Sequence, residues 1–272
     1  MNSNNFSIGI FDSGVGGTSI WKEISTLLPN ENTIYLSDSK NAPYGEKTKE
    51  QIIQLSIKNT EFLLQQNCKI IVVACNTATT NSIQVLREKY NVPFIGIEPA
   101  IKPAALKTIT KIIGILATKG TLNSELFEKT SNSIKKQITI KETVGKGLVE
   151  LIESGKLDSK EMTSLLSSYL IPMINKKVDC LVLGCTHYPY LIPQIRKIVG
   201  DKIQIIDSGE AVAKQTKTIL ENNQLLNLNT KEGKHQFYIN KNKNVLERLL
   251  SCNANIKIEI KEKNFKSLQK QC

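Results

Sequence analysis

Two cysteines stand at corners where a thiol can do chemistry. Cys75 follows the apolar run 69–74 (KIIVVA) and precedes a helical pattern over 78–90. Cys185 follows the run 181–184 (LVLG) and is succeeded by Thr186 and His187. Open α/β sheets bind ligands outside the carboxyl ends of their strands. A thiol placed there, near a helix N-terminus, has its pKa lowered by the positive helix end. The thiolate is the form that acts as base or nucleophile. Small hydrogen-bonding residues follow each cysteine, Asn76-Thr77 in one case and Thr186-His187 in the other. With the first helical amides they make a site suited to a carboxylate. A lone cysteine at such a corner is more often structural, and Cys68 and Cys180, each before a strand, read as packing residues. Two matching corners point instead to two thiols facing one ligand. That geometry suits inversion of a stereocentre: one base takes a proton from one face, and the other delivers a proton to the opposite face.

Other thiol chemistries fit less well. A cysteine phosphatase needs an arginine shortly after its thiol, but Cys75 is followed by NTATTN and Cys185 by THYPYL. A cysteine hydrolase could pair Cys185 with His187 but leaves Cys75 unexplained. The six cysteines (68, 75, 180, 185, 252 and 272) contain no CxxC pair, and the chain has two histidines, so no metal site is expected. In a chain with a cytosolic look and of this length, an even cysteine count does not imply disulfides.

The elements that must position these corners alternate. Strands are expected at 7–11, 33–36, 69–74, 93–97, 111–116, 138–140, 181–184 and 203–206. Helices are expected at 18–28, 47–66, 78–90 and 210–222. A further strand (236–239), a helix (244–250) and a last strand (256–260) follow. Alternation of this kind implies an α/β fold with parallel sheets flanked by helices, and continuous apolar runs such as 70–73 suit strands covered on both faces. The pattern repeats. Gly114 stands 105 residues after Gly9, the run 138–140 stands 104 after 34–36, and the Cys185 unit stands 110 after the Cys75 unit. The run 203–206 stands 110 after the 93–97 stretch. Matches in one order at nearly one offset read as a duplication, with two halves related by a pseudo-twofold. No low-complexity linker separates them, so they are expected to pack tightly.

The loop Asp12-Ser13-Gly14-Val15-Gly16-Gly17 is not a nucleotide loop. Ser19 occupies the last glycine position of a GxGxxG pattern, and no GK[ST] follows. It reads as a close backbone approach to a small ligand, with Asp12 either pointing in or capping the following helix. Pro43-Tyr44-Gly45 ends another loop at the same sheet edge and can offer amides to a carboxylate.

Composition excludes some classes. The chain has 272 residues and 40% hydrophobic residues, enough for a sizeable core. No apolar run approaches the roughly 20 residues that span a bilayer, and residues 1–7 lack the basic and apolar regions of a secretory signal. A cytoplasmic address is expected, with no membrane partner. The net charge is +11, yet only Arg87, Arg196 and Arg248 are arginines, and the lysines are scattered, densest over 231–266. This reads as a lysine-rich surface rather than a nucleic-acid footprint; nucleic-acid binding is retained only as a rival or second role.

The segments IGIFDSGVGG (8–17), APYG (42–45), VVACNTATT (72–80), GIEPA (96–100), LVLGCTHYP (181–189) and IDSGEAVA (206–213) closely resemble those of bacterial glutamate racemases. Aspartate and hydantoin racemases share the two-cysteine plan, but PYG and GCTHYP favour glutamate; a racemase of aspartate or another acidic amino acid is the alternative. The resemblance implies two similar α/β domains, residues 1–98 plus 208–272 and residues 99–207, with the site in the cleft between them. It implies that Cys75 removes the α-proton of D-glutamate and Cys185 that of L-glutamate. Asp12 would assist on the Cys75 side and His187 on the Cys185 side. Glu153, in LVELIESG, matches a further assisting carboxylate, with Glu150 nearby. Substrate contacts would come from Asp12, Ser13, Tyr44, Gly45, Asn76, Thr77, Thr186 and His187. No cofactor or metal is implied; a homodimer is, together with supply of D-glutamate to peptidoglycan synthesis.

Overall fold

The computed structural model describes residues 3–135, 137–251 and 256–263. Cys252 and Cys272 lie outside them. The strands are β1 (Ile8–Asp12), β2 (Thr33–Ser37), β3 (Ile70–Val73), β4 (Phe94–Gly96), β5 (Ile112–Ala117), β6 (Thr139–Val144), β7 (Cys180–Gly184), β8 (Gln204–Ile206), β9 (His235–Ile239) and β10 (Ile258–Glu262). The helices are α1 (Thr18–Leu27), α2 (Lys49–Gln65), α3 (Asn76–Lys89), α4 (Ile101–Lys107), α5 (Lys119–Leu122), α6 (Glu125–Asn132), α7 (Leu148–Glu153), α8 (Lys160–Asn175), α9 (Ile192–Val199), α10 (Gly209–Asn222) and α11 (Lys243–Leu250). Several helices start at side-chain caps: a Thr48–Gln51 capping box opens α2, Ser124 caps α6 and Ser159 caps α8. The loop that holds Pro43-Tyr44-Gly45 carries two 3-10 turns, Ser39–Asn41 and Tyr44–Glu46, joined through a cis Ala42–Pro43 peptide.

Two parallel sheets form. One has the order β10-β9-β2-β1-β3-β4 and the other β6-β5-β7-β8. Within them β2-β1-β3-β4 and β6-β5-β7-β8 share one plan, as the duplication predicts. Gly9 pairs with Ile71 as Gly114 pairs with Leu181, matching the offsets read from the sequence. Two offsets need correction. Gly9 pairs with Ile34 and Gly114 with Lys141, so Lys141 rather than Ile138 is the counterpart of Ile34. Ile71 pairs with Phe94 and Leu181 with Ile205, a one-residue slip. β6 leaves little signal in the sequence because it is an edge strand, paired only with β5, and its partly exposed residues form no apolar run.

The central strands β1, β3 and β7 are buried along their whole length. β9 joins the first sheet beside β2, so the chain returns to that sheet after completing the second. Trp21 of α1 is fully buried and meets Phe237 of β9 edge-on at 4.9 Å. α1 and α10 pack together, and one buried cluster runs from Ile8, Trp21 and Val72 to Leu148, Leu183 and Ile195, joining both sheets.

Candidate active site

Cys75 ends the turn after β3 and is the N-cap residue of α3; the Ala78 amide donates to its sulfur at 3.4 Å. Its thiol donates to Ser13 Oγ at 3.6 Å. Burial pushes the Cys75 thiol well above its ordinary range, and the nearby Asp12 and Cys185 act in the same direction. The Ala78 amide and Ser13 oppose this. The lowering expected at a helix end is therefore present but outweighed, because desolvation is the larger effect. Cys68 and Cys180 are buried thiols away from this corner, and burial lifts them to about 12 and about 11.

Asp12 ends β1 and is fully buried. Its Oδ2 accepts from the amides of Gly17, at 2.9 Å, and Gly14, at 3.2 Å, so it does tie down the loop before α1. Its Oδ1 accepts from Thr186 Oγ1, in the turn after β7 of the second sheet, at 3.3 Å. Burial raises its pKa, against His187 and the two amides. Ser19 Oγ adds a second link, donating to the Thr186 carbonyl at 2.9 Å.

Cys185 comes directly after β7, but no α-helix starts at it: a 3-10 turn (Tyr188–Leu191) intervenes before α9. The helix-end argument thus applies to Cys75 alone. The group facing the Cys185 sulfur is His187 Nδ1, at 3.7 Å. His187 Nε2 lies 2.7 Å from Glu153 Oε1 and 3.2 Å from the Gly16 amide nitrogen. The carboxylate is the closer and can only accept, so Nε2 carries a proton. Burial disfavours imidazolium, but the bonds to Cys185 and Glu153, with Asp12 nearby, outweigh it and hold His187 well above the usual imidazole range. Glu153 closes α7; its Oε1 also accepts from the Val15 amide at 2.6 Å. Glu150 is exposed and makes no such contact.

The glycines of the first loop explain this docking. A Cβ on Gly14 would collide with the Glu153 carboxylate, and one on Gly16 with the His187 ring. The loop is glycine-rich so that a carboxylate and an imidazole from the other half can approach its backbone.

Both thiols wall one cavity, together with Ser13, Tyr44, Gly45, Asn76, Thr77, Thr186 and His187. Asp12 and Glu153 stand behind this wall, held by the loops they bond. The Tyr44 hydroxyl is turned away, donating to Asp38 at 2.6 Å and accepting from Asn59 at 3.0 Å. Both polar atoms of the Asn76 amide are buried without partners. Sequence reasoning missed two wall residues, Val149 and Thr118, and placed Pro43 only as part of the Pro43-Tyr44-Gly45 loop. Thr118 Oγ1 lies 2.7 Å from Thr77 Oγ1 and 3.0 Å from Thr121 Oγ1, and Thr77 and Thr121 are 3.1 Å apart. The signal for Thr118 is faint: it comes after β5, at the sheet end that carries Cys185 after β7. The cavity's free volume is about 10 Å³, the space of a single water.

Two thiols thus wall one cavity, each standing just past an equivalent strand of the two sheets. Residues 8–216 match the family model described as Asp/Glu/Hydantoin racemase, and the chain belongs to that family. Among curated relatives, the glutamate racemase of Cupriavidus pinatubonensis is 45% identical over 214 residues, 79% of each chain. The crystal structure of glutamate racemase isoform RacE1 from Bacillus anthracis superposes with a TM-score of 0.85 at 31% identity, covering 96% of this chain and 98% of that one. The glutamate racemase of Francisella tularensis in complex with D-glutamate gives 0.82 at 28% identity, covering 97% and 99%.

Proposed function

We propose that this chain interconverts L- and D-glutamate by proton transfer between two thiols and the α-carbon, without a cofactor. The observation that carries the reading is the single cavity walled by both Cys75 and Cys185. In the L-to-D direction, the Cys185 thiolate takes the α-proton and becomes a thiol. The Cα–H electron pair remains as a carbanion, and the Cys75 thiol then protonates the opposite face. The products are D-glutamate, a Cys75 thiolate and a Cys185 thiol, which is the state that begins the reverse reaction. Cys75, which burial holds protonated, is poised as the acid of this direction. His187, itself held protonated, is the hydrogen-bond partner of Cys185.

An amino-acid α-C–H is a weak acid, and here no pyridoxal-type electron sink spreads the carbanion charge. Stabilisation must come from oriented donors in a site closed to water. The partnerless Asn76 amide and the Thr77 and Thr118 hydroxyls are the wall donors available for the substrate's carboxylates, with Thr121 behind them bonded to both threonines. The two-sheet layout supports domains of residues 1–98 plus 208–272 and residues 99–207, with the substrate held between them.

We further read the chain as a cytoplasmic homodimer that supplies D-glutamate for peptidoglycan synthesis. No helix among the described residues is long and apolar enough to cross a membrane. Light scattering of the purified protein tests the dimer.

The test of the reaction is incubation with L-glutamate in D2O, tracking optical rotation and α-deuterium together. Loss of rotation with deuterium entering Cα is expected. Cys75→Ser and Cys185→Ser should each lower turnover by about two to four orders of magnitude, the loss typical of removing a general acid–base group. If aspartate reacts and glutamate does not, the substrate assignment fails and the two-thiol chemistry stands. If no acidic amino acid exchanges its α-proton, the reading fails as a whole.

A further inference from the structure

The turn after β9 reaches both sides of the cavity, although it belongs to none of the sequence motifs. Asn240 Nδ2 donates to Asp38 Oδ1 at 2.6 Å, and Asn240 Oδ1 accepts from the Lys40 amide at 2.7 Å. Asp38 is buried and receives the Tyr44 hydroxyl, so Asn240 clamps the base of the loop that carries Tyr44 and Gly45 to the cavity wall. Two residues on, Asn242 Nδ2 donates to the backbone carbonyl of Glu153 at 2.8 Å. Glu153 is the residue that holds His187 against Cys185. Asn242 has φ 61°, in the left-handed region that asparagine tolerates better than most residues, and this conformation starts α11.

We propose that Asn240 and Asn242 are positioning residues of the active site: one fixes the substrate loop, the other fixes the Glu153–His187 pair, and the chain returns to the first sheet in part to supply them. This rests on the two-thiol reading for its kinetic consequences but not for its structural ones. Loss of one neutral hydrogen bond changes a rate or affinity by about fivefold.

The two sites are separable. Asn242→Gly keeps the left-handed turn and removes only the amide. It should lower kcat about fivefold with little change in KM. Because the chain has two histidines, imidazole 15N spectra distinguish His187 from His235, and in Asn242→Gly only the His187 resonances should move. Asn240→Ala, which removes two bonds, one of them to a carboxylate, should instead raise KM for glutamate by at least about fivefold and speed amide hydrogen exchange across residues 38–45. A lower melting temperature with both kinetic constants, the His187 resonances and loop exchange unchanged would overturn the proposal and leave a purely structural turn. The spectra and the exchange need no substrate. A wild type inert toward every acidic amino acid therefore refutes the two-thiol reading alone, and these two measurements still decide the positioning role.

Discussion

At the scale of single residues, this site is controlled by which groups are allowed close to one another. Gly16 is required for space rather than for backbone conformation: it is not among the glycines with positive φ, yet a Cβ there meets the His187 ring. Gly16→Ala should therefore force His187 off Glu153 or off Cys185. Denaturant unfolding is expected to show a loss of about 1–3 kcal/mol, the cost of overpacking, and initial rates should fall more in kcat than in KM. Unchanged kinetics in this variant would show that the imidazole has room to move and that its place is not critical. Burial likewise decides the protonation of Cys75: a helix N-terminus alone favours thiolate, but a fully enclosed sulfur beside Asp12 does not reach it.

Among the elements, β9 sets how the first sheet tolerates acid. His235 opens β9, is buried, and shares the Thr33 hydroxyl of β2 with the Trp21 indole, each at 2.9 Å. Burial lowers its pKa below the ordinary imidazole value, partly opposed by Glu232. The unfolded chain therefore takes up this proton more readily than the folded one, so stability falls as pH drops below about 6.5, the unfolded value. His235→Gln should remove that component. Melting curves of the two proteins are expected to converge as pH falls from neutral towards 5, the wild type losing more. Parallel curves would mean that His235 does not titrate differently on unfolding. Element boundaries are legible in the sequence where both faces of a strand are covered, as in β1, β3 and β7. They are poorly legible for β6, whose side chains are partly exposed, and for the short α5; α8 does carry helical spacing in Met162, Leu166, Leu170 and Met173, although no helix is expected there from the sequence analysis.

For the whole molecule, the cavity is too small for its proposed substrate. About 10 Å³ holds one water, so the cavity must widen to take glutamate, and we predict that it does so by separation and re-closure of the two halves. On the α3 side the contacts that must yield are Asn81 Nδ2 donating to the Gly120 carbonyl at 3.0 Å, the Thr77–Thr118–Thr121 hydroxyls, the exposed Lys49–Glu125 pair at 2.7 Å and the packing of Leu126 against the first sheet's core. The exposed ion pair contributes about 1 kcal/mol at most to holding this side shut. Solution scattering should show a broader ensemble without glutamate than with it, and amide exchange at residues 118–121 should slow on binding. Identical scattering and exchange in both states would refute a closing cleft.

The sequence by itself determined the two thiol corners, the small polar residues beside them, the parallel strands beneath them and the repeat that relates them. These are local properties: an apolar run makes a buried strand, and the residues just past its carboxyl end lie on the ligand side of the sheet. Only the tertiary structure decided that Asp12 receives Thr186, that Glu153 rather than Glu150 faces His187, and that Thr118 joins the cavity wall. Each of these joins residues far apart in the chain, across the surface where the two halves meet. Such a contact is selected by the relative placement of two sheets, which no periodicity along one segment encodes. The protonation of Cys75 belongs to the same class, because it depends on how completely the folded halves exclude water.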